Sequence, residues 1–317
     1  MYKSFFGLKD NPFNVNPDPR YLFFTKQIEE TLTGLMYGIQ TRKGFLTLTG
    51  EVGTGKTTLI NRLLEWLHQR RARTAFLFNS RMNTNQLFDF ILAEYDIACD
   101  SKSKSQQLMK LNHWLLDRYR TGETVVLIVD EAQNLTFPVL EEIRLLTNLE
   151  TSTEKLLQIV LSGQPELEEK LRLPELRQLR QRIMLRCKTS QLTKEETREY
   201  VGDRLKTAGA EAGSIFSPQS LDAIHLYSMG VPRVINLLCE HALVNAYAEN
   251  QRPILPKVIE DVAREFQLDE VEPIAPEGHS KLETDIYQSE AFLQNLGEAL
   301  SRFRVSPSTI PPNRGKR

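Results

Sequence analysis

The 317-residue sequence has no apolar run long enough to cross a bilayer: the longest, Val125 to Val129, has five residues, where a spanning helix needs about 20. The N-terminus, MYKSFFGLKD, carries no apolar core of a secretory leader, so the expected location is the cytoplasm. Cysteine is scarce. Cys99, Cys187 and Cys239 are odd in number and far apart, which excludes a disulfide framework and paired-cysteine zinc spacing and leaves three buried or inert thiols. An excess of either charge is also missing, with 40 Lys and Arg against 41 Asp and Glu and a net charge of −1. That balance removes the global electrostatic case for nucleic acid or membrane binding and leaves only local basic patches to consider.

What is present is ordinary globular content, 40% apolar and 26% charged, in a chain of about two domains. Residues 1–24 carry Phe5, Phe6, Phe13, Tyr21, Phe23 and Phe24 among Pro12, Pro17 and Pro19. This is extended, turn-forming chemistry with an apolar payload, expected to pack on the core that follows. Over residues 25–190, apolar strands at Phe45 to Thr49, Thr74 to Asn79, Thr124 to Val129, Leu156 to Ser162 and Met184 to Cys187 alternate with helical patterns. The helices fall at Thr25 to Gln40, after Thr57, and near Asn85 to Glu94, Gln106 to Tyr119 and Val139 to Glu150. The alternation predicts an α/β fold, a parallel sheet with helices on both faces.

Residues 191–268 then read as helices only, a small all-α domain. Thr193 and Glu196 form a T-x-x-E capping box, Ser217 and Pro218 read as N-cap and first helical residue, and further helices open near Pro232 and Pro256. Residues 269–317 hold five of the 15 prolines and are expected as a partly disordered tail. Ile286, Phe292, Leu293, Leu296, Leu300 and Phe303 keep helical spacing there, so one amphipathic helix is expected within it.

Gly50-Glu51-Val52-Gly53-Thr54-Gly55-Lys56-Thr57 matches G-x-x-x-x-G-K-[ST] between a predicted strand and a predicted helix, the context that gives this pattern its meaning as a P-loop. Glycines let successive N–H groups curl inward onto phosphate oxygens, and the helix N-terminus adds a favourable dipole. Lys56 is the residue for the β- and γ-phosphates, Thr57 for Mg²⁺ and Thr58 for the α-phosphate. Val125 to Val129 ends in Asp130-Glu131, a strand-end acid pair in which Asp130 suits Mg²⁺ and Glu131 suits a general base on water.

The strand ending at Ser162 is followed by Gly163 and Gln164, which places a polar side chain beside the expected phosphate site. Gln164, with Ser162 as the alternative, is the expected sensor of the γ-phosphate. Between Leu176 and Lys188 stand Arg177, Arg180, Arg182, Arg186 and Lys188 without an acid. Such a run can supply an arginine to a neighbouring subunit's phosphate, and Arg182 is the first choice with Arg180 second. Arg233 opens a helix, where a cation is unfavourable unless an anion lies near, so it joins the phosphate-binding candidates.

With these motifs in order the chain resembles the AAA+ ATPases. Within them it is similar to the ExeA/GspA type of secretion-pathway ATPase, related to the TnsC and TniB transposition ATPases and to the Orc/Cdc6 group. Phe5-Phe6-Gly7-Leu8, Asn11-Pro12-Phe13, Pro17-Asp18-Pro19-Arg20, Asp130-Glu131-Ala132-Gln133, Gly163-Gln164-Pro165-Glu166-Leu167, Gln181-Arg182-Ile183 and Gly230-Val231-Pro232-Arg233 carry that match over residues 1 to about 268. The resemblance implies ATP and Mg²⁺ bound between subunits of a ring or ring-like homo-oligomer. Arg182 then stands in the place of an arginine finger and Arg233 in that of sensor 2. It further implies hydrolysis that drives assembly of a secretion, envelope or exopolysaccharide export system, with contact to the inner membrane through protein partners. The competing expectation is a DNA-engaged ATPase of the transposition or initiator kind, using Arg70, Arg71 and Arg73 or the helical domain on duplex DNA. A helicase reading of the Asp-Glu-Ala-Gln run needs a second α/β core, which the helices after residue 190 do not offer. A nucleotide-gated adaptor without useful turnover is a fourth possibility.

Overall fold

A computed structural model describes residues 2–14, 19–78, 82–101, 103–210 and 215–268. The expected tail helix on Ile286 to Phe303 lies outside them, as do Asn79 at the end of the second expected strand and Pro17 and Asp18 of the N-terminal motif. Five parallel strands, β1 (Phe45–Thr49), β2 (Arg73–Leu77), β3 (Val125–Val129), β4 (Leu157–Gly163) and β5 (Leu185–Lys188), pair in the order β2-β3-β4-β1-β5. Every residue of β1, β3 and β4 is buried, whereas the edge strands β2 and β5 are only partly so. That is why the three inner strands read as near-continuous apolar runs.

The period-2 alternation of side chains sorts β3 between two cores. Val125, Leu127 and Val129 pack with Leu87, Phe88, Ile91, Leu111, Leu115, Val139 and Ile143 on one face. Val126 and Ile128 pack with Leu35, Ile39, Leu59, Ile60, Leu63 and Leu67 on the other. The first face is covered by helices Thr84–Glu94, Lys104–Arg120 and Phe137–Leu146 and the second by Lys26–Gln40 and Lys56–Gln69. The α/β expectation therefore holds, a parallel sheet with helices on both faces.

Local signals set most boundaries. Thr25 caps Lys26–Gln40 by accepting from Ile28 N, and Thr193 and Glu196 form both halves of the capping box that opens Lys194–Thr207. Ser217 accepts from Ser220 N at the start of Pro218–Ser228. Two further helices, Pro232–Ala248 and Pro256–Glu265, complete the helical part. The helix expected over Val139 to Glu150 instead spans Phe137–Leu146, because Thr147 Oγ1 turns back onto Arg144 O and Glu150 pairs with Lys155 in a tight return to β4. β4 is shifted one residue from its expected position, and an unforeseen helix, Pro165–Arg172, follows it.

The N-terminal segment differs from expectation in two ways. It begins with a short helix, Tyr2–Phe6, rather than extended chain, and most of its described apolar side chains pack on the helical part, while Leu22 packs on the core under the sheet. Phe6, Leu8 and Phe13 join Leu192, Tyr200, Val201, Ile235 and Cys239 of the helical part. The reason is polar as well as apolar: Tyr2 and Asn11 both donate to the Glu240 carboxylate, and Arg204 donates to Pro12 O. Burial and the Glu240 carboxylate push the Tyr2 phenol well above its ordinary value. Of the cysteines, Cys187 and Cys239 are buried, with Cys187 raised by burial to about 12, and Cys99 is partly exposed.

Candidate nucleotide site

The glycines of the 50–55 turn answer steric demands. Gly53 and Gly55 have φ of 81° and 95°, values that L side chains rarely adopt. A Cβ at Gly50 would sit 2.1 Å from Thr189 Oγ1, and one at Gly53 would sit 2.8 Å from Arg233 Cβ. Gly55 is also the N-cap of Lys56–Gln69 and gives it no side-chain cap. The first-turn N–H groups of that helix are thus left for an anion, as the dipole favours.

Lys56 is buried, and its Nζ donates to Gly50 O at 2.6 Å and Glu51 O at 2.9 Å, so the ammonium is drawn into its own loop. Burial lowers its pKa, and the carboxylates of Glu131, Asp130, Glu51 and Glu166 work in the opposite direction. The hydroxyls of Thr57 and Thr58 have no hydrogen-bond partner among the described residues, and Glu51 and Val52 are exposed. Thr54 Oγ1 donates to Glu51 O at 2.8 Å and meets Thr189 Oγ1 at 2.7 Å, which braces the turn from the end of β5.

Because β4 lies between β1 and β3, three strand ends converge. Asp130, buried at the end of β3, accepts from Ser162 Oγ of β4 at 2.7 Å and from Glu131 N at 3.0 Å. Glu131 has φ 51°, a costly conformation for a glutamate. Its Oε2 accepts from Gln133 Nε2 at 2.5 Å and from Gln164 Nε2 at 3.2 Å, and Gln164 N donates to Gln133 Oε1 at 3.2 Å. Lys170 holds this loop from below by donating to Gln133 O at 2.8 Å and to Leu135 O at 2.5 Å. Gln133 is the residue that motif reasoning passed over; the only signal for it was the Asp-Glu-Ala-Gln run itself.

Arg233 opens Pro232–Ala248, donates its N–H to Gly53 O at 3.2 Å, and is exposed, with no side-chain partner among the described residues. Arg182 lies elsewhere. Its Nη1 donates to Thr147 Oγ1, Asn148 Oδ1 and Arg144 O at the C-terminal end of Phe137–Leu146, where a cation is favoured. Arg180 makes one long contact, to Arg172 O at 3.4 Å. An apolar cleft beside the P-loop is lined by Tyr21, Phe23, Gly55, Thr58, Leu192 and Tyr200, so the N-terminal segment and the helical part both border the site.

A family model described as an AAA domain matches residues 39–171, from the helix before β1 to the one after β4. That stretch contains the P-loop, Asp130, Glu131 and Gln164. Residues 39–171 form an AAA domain. The chain is 43% identical over 256 residues to general secretion pathway protein A of Aeromonas hydrophila, a match covering 80% of this chain and 46% of that protein. The chain thus spans less than half the length of this curated relative. Among solved structures it resembles the Aeropyrum pernix ORC2 protein, with a TM-score of 0.61 and 16% identity over 84% of this chain and 75% of that one. It also resembles Cdc6p from Pyrobaculum aerophilum, with a TM-score of 0.61 and 19% identity over 81% of this chain and 71% of that one. These two likenesses concern the fold. Among the described residues no helix is long and apolar enough to cross a membrane.

Proposed function

We propose that the chain is an ATPase that binds ATP with Mg²⁺ at residues 50–58 and hydrolyses it at a subunit interface, to drive or regulate assembly of a secretion or envelope export system. The observation that carries the chemistry is the convergence of Lys56, Asp130, Glu131 and Gln164 on the uncapped helix N-terminus at Gly55. Lys56 exchanges its two carbonyl acceptors for β- and γ-phosphate oxygens, and the first-turn backbone N–H groups of Lys56, Thr57 and Thr58 hold other phosphate oxygens. Thr57 Oγ1 and the Asp130 carboxylate are the oxygen donors suited to Mg²⁺, which when bound neutralises charge on the phosphates. Glu131 takes a proton from the attacking water as general base. The Gln133 and Gln164 amides aim its carboxylate. Gln164 also stands where the γ-phosphate is sensed, and Arg233 supplies a charge from the helical part.

An arginine from a neighbouring copy completes the site in this reading. Arg182 would have to leave Thr147 and Asn148 to serve, while Arg180 is less constrained. The secretion assignment rests on the relative from Aeromonas hydrophila, which is named for the general secretion pathway, and the reading includes protein partners of such a system at the inner membrane. The DNA reading is weakened on its expected surface: Arg70 stacks on Trp66 at 4.6 Å, and Arg73 pairs with Glu123 at 2.8 Å.

Steady-state ATPase activity across protein concentrations, with mass followed by light scattering, tests the proposal with and without duplex DNA at low and physiological salt. Turnover that rises with oligomer formation and ignores DNA is expected. Turnover and assembly that require DNA and fall steeply with salt would replace the secretion reading with the transposition or initiator one.

A further inference from the structure

Glu168 lies in the first turn of Pro165–Arg172, the helix whose N-cap is Gln164. Its side chain is 20% exposed, and it carries a charge beside a loop that is to receive a triphosphate. Such a charge opposes nucleotide binding unless it is neutralised and serves another end. Both conditions are met. Glu168 Oε1 accepts from Thr49 Oγ1 at 2.5 Å, and Oε2 accepts from Lys188 Nζ at 2.9 Å. Burial alone would raise the carboxyl pKa, but the hydrogen bonds from Thr49 and Lys188 and the charges of Lys188 and Arg172 outweigh it and hold the group below its ordinary value.

The two donors occupy matched positions. Thr49 and Lys188 are register partners at the C-terminal ends of β1 and β5, the first one residue before the phosphate loop and the second one residue before Thr189, which braces it. After Thr49 comes Gly50, whose N–H donates to Gly163 O and whose carbonyl receives Lys56. After Lys188 comes Thr189, whose N–H donates to Thr49 O at 2.8 Å and whose hydroxyl braces Thr54. Thr31 Oγ1, donating to Lys188 O, ties the same point to helix Lys26–Gln40. One carboxylate therefore joins the element that begins at Gln164 to the strand from which the loop springs, β1, and to the strand that braces it, β5.

We propose that Glu168 is a positioning residue for ATP binding, clamping Thr49 and Lys188 so that the Gly50 and Thr189 ends hold the phosphate loop in its binding shape. This rests on the nucleotide reading given above. The test is the dissociation constant for Mg²⁺-ATP, measured by calorimetry on the full chain, with the melting temperature of each variant recorded separately. Glu168→Ala and Thr49→Val each remove one end of a charge-assisted hydrogen bond and are expected to weaken ATP about tenfold. The double variant is expected to be no weaker than either single one, because both lose the same contact. Glu168→Gln keeps an acceptor for Thr49 and is expected within about threefold of the wild type.

Effects of the two substitutions that multiply in the double variant would overturn the clamp, as would folded Glu168→Ala binding ATP like the wild type. If Glu168→Ala does not fold, the comparison of Thr49→Ser with Thr49→Val decides: wild-type affinity in the first and loss in the second support the clamp, and equal affinity in both overturns it. A wild-type chain that binds no Mg²⁺-ATP would end the nucleotide reading itself, a different failure.

Discussion

The Gln133 amide lies 2.5 Å from the Glu131 carboxylate, two residues away and across a backbone turn in which Glu131 has φ 51°. The amide does for Glu131 what Ser162 does for Asp130: each acid of the pair has a neutral donor that fixes its direction.

Glu131→Gln is expected to leave ATP binding within about threefold of the wild type and to reduce kcat by 10²-fold or more, the range for loss of a general base. Gln133→Ala should reduce kcat about tenfold with little change in KM, since one of two orienting hydrogen bonds is lost. Steady-state kinetics separate the two, and unchanged turnover in Glu131→Gln would remove that residue as the base.

Lys56→Met should abolish ATP binding in calorimetry. Its effect on the nucleotide-free protein should run the other way. Burial depresses the Lys56 pKa, so the folded state binds its proton less readily than the unfolded chain. The penalty is present in full below the folded pKa and is relieved as pH rises from there toward the ordinary lysine value. At neutral pH, Lys56→Met is therefore expected to melt no lower than the wild type, and a large fall in melting temperature would contradict the strain assigned to the buried ammonium.

Phe13 is fully buried between the N-terminal segment and the helical part, edge-on to Phe216. Phe13→Ala should cost about 3–5 kcal/mol in chemical denaturation. A loss below about 1 kcal/mol, the scale of an average substitution, would show that the segment is not part of the folded body.

Arg182→Ala removes the cation from the end of Phe137–Leu146 and should destabilise the chain by about 1 kcal/mol, while Arg180→Ala should not. Hydrolysis that depends on an arginine from a neighbouring copy is lost in one of these variants and restored on mixing it with Lys56→Ala, since each then supplies the half-site that the other lacks. No restoration with either variant would argue against a shared site.

The nucleotide-binding pattern was legible because its chemistry is local: a turn of glycines, a lysine and two hydroxyls are consecutive in the chain, as are the strand and acids of Val125 to Glu131. The sheet was legible as parallel from its apolar runs, but its order was not. Only the placement of β4 between β1 and β3 brings Ser162 to Asp130 and Gln164 to Glu131. Glu168 and Lys188 are likewise joined by a crossover that periodicity does not encode. The N-terminal aromatics announced burial without saying against what, since the deciding partner, Glu240, lies 229 residues beyond Asn11.

The hydrogen bond from Arg233 N to Gly53 O has a mechanical meaning. It seats the 17-residue helix Pro232–Ala248 directly on the loop proposed to hold the phosphates, and such a helix is about 25 Å long. The loop is then a fulcrum and the helix a lever: a tilt of about 5° at Gly53 sweeps the far end through about 2 Å, at that length and rise. Tyr247, one residue from that end, stacks edge-on against Phe5, so the chain's first turn would be carried along with the stroke.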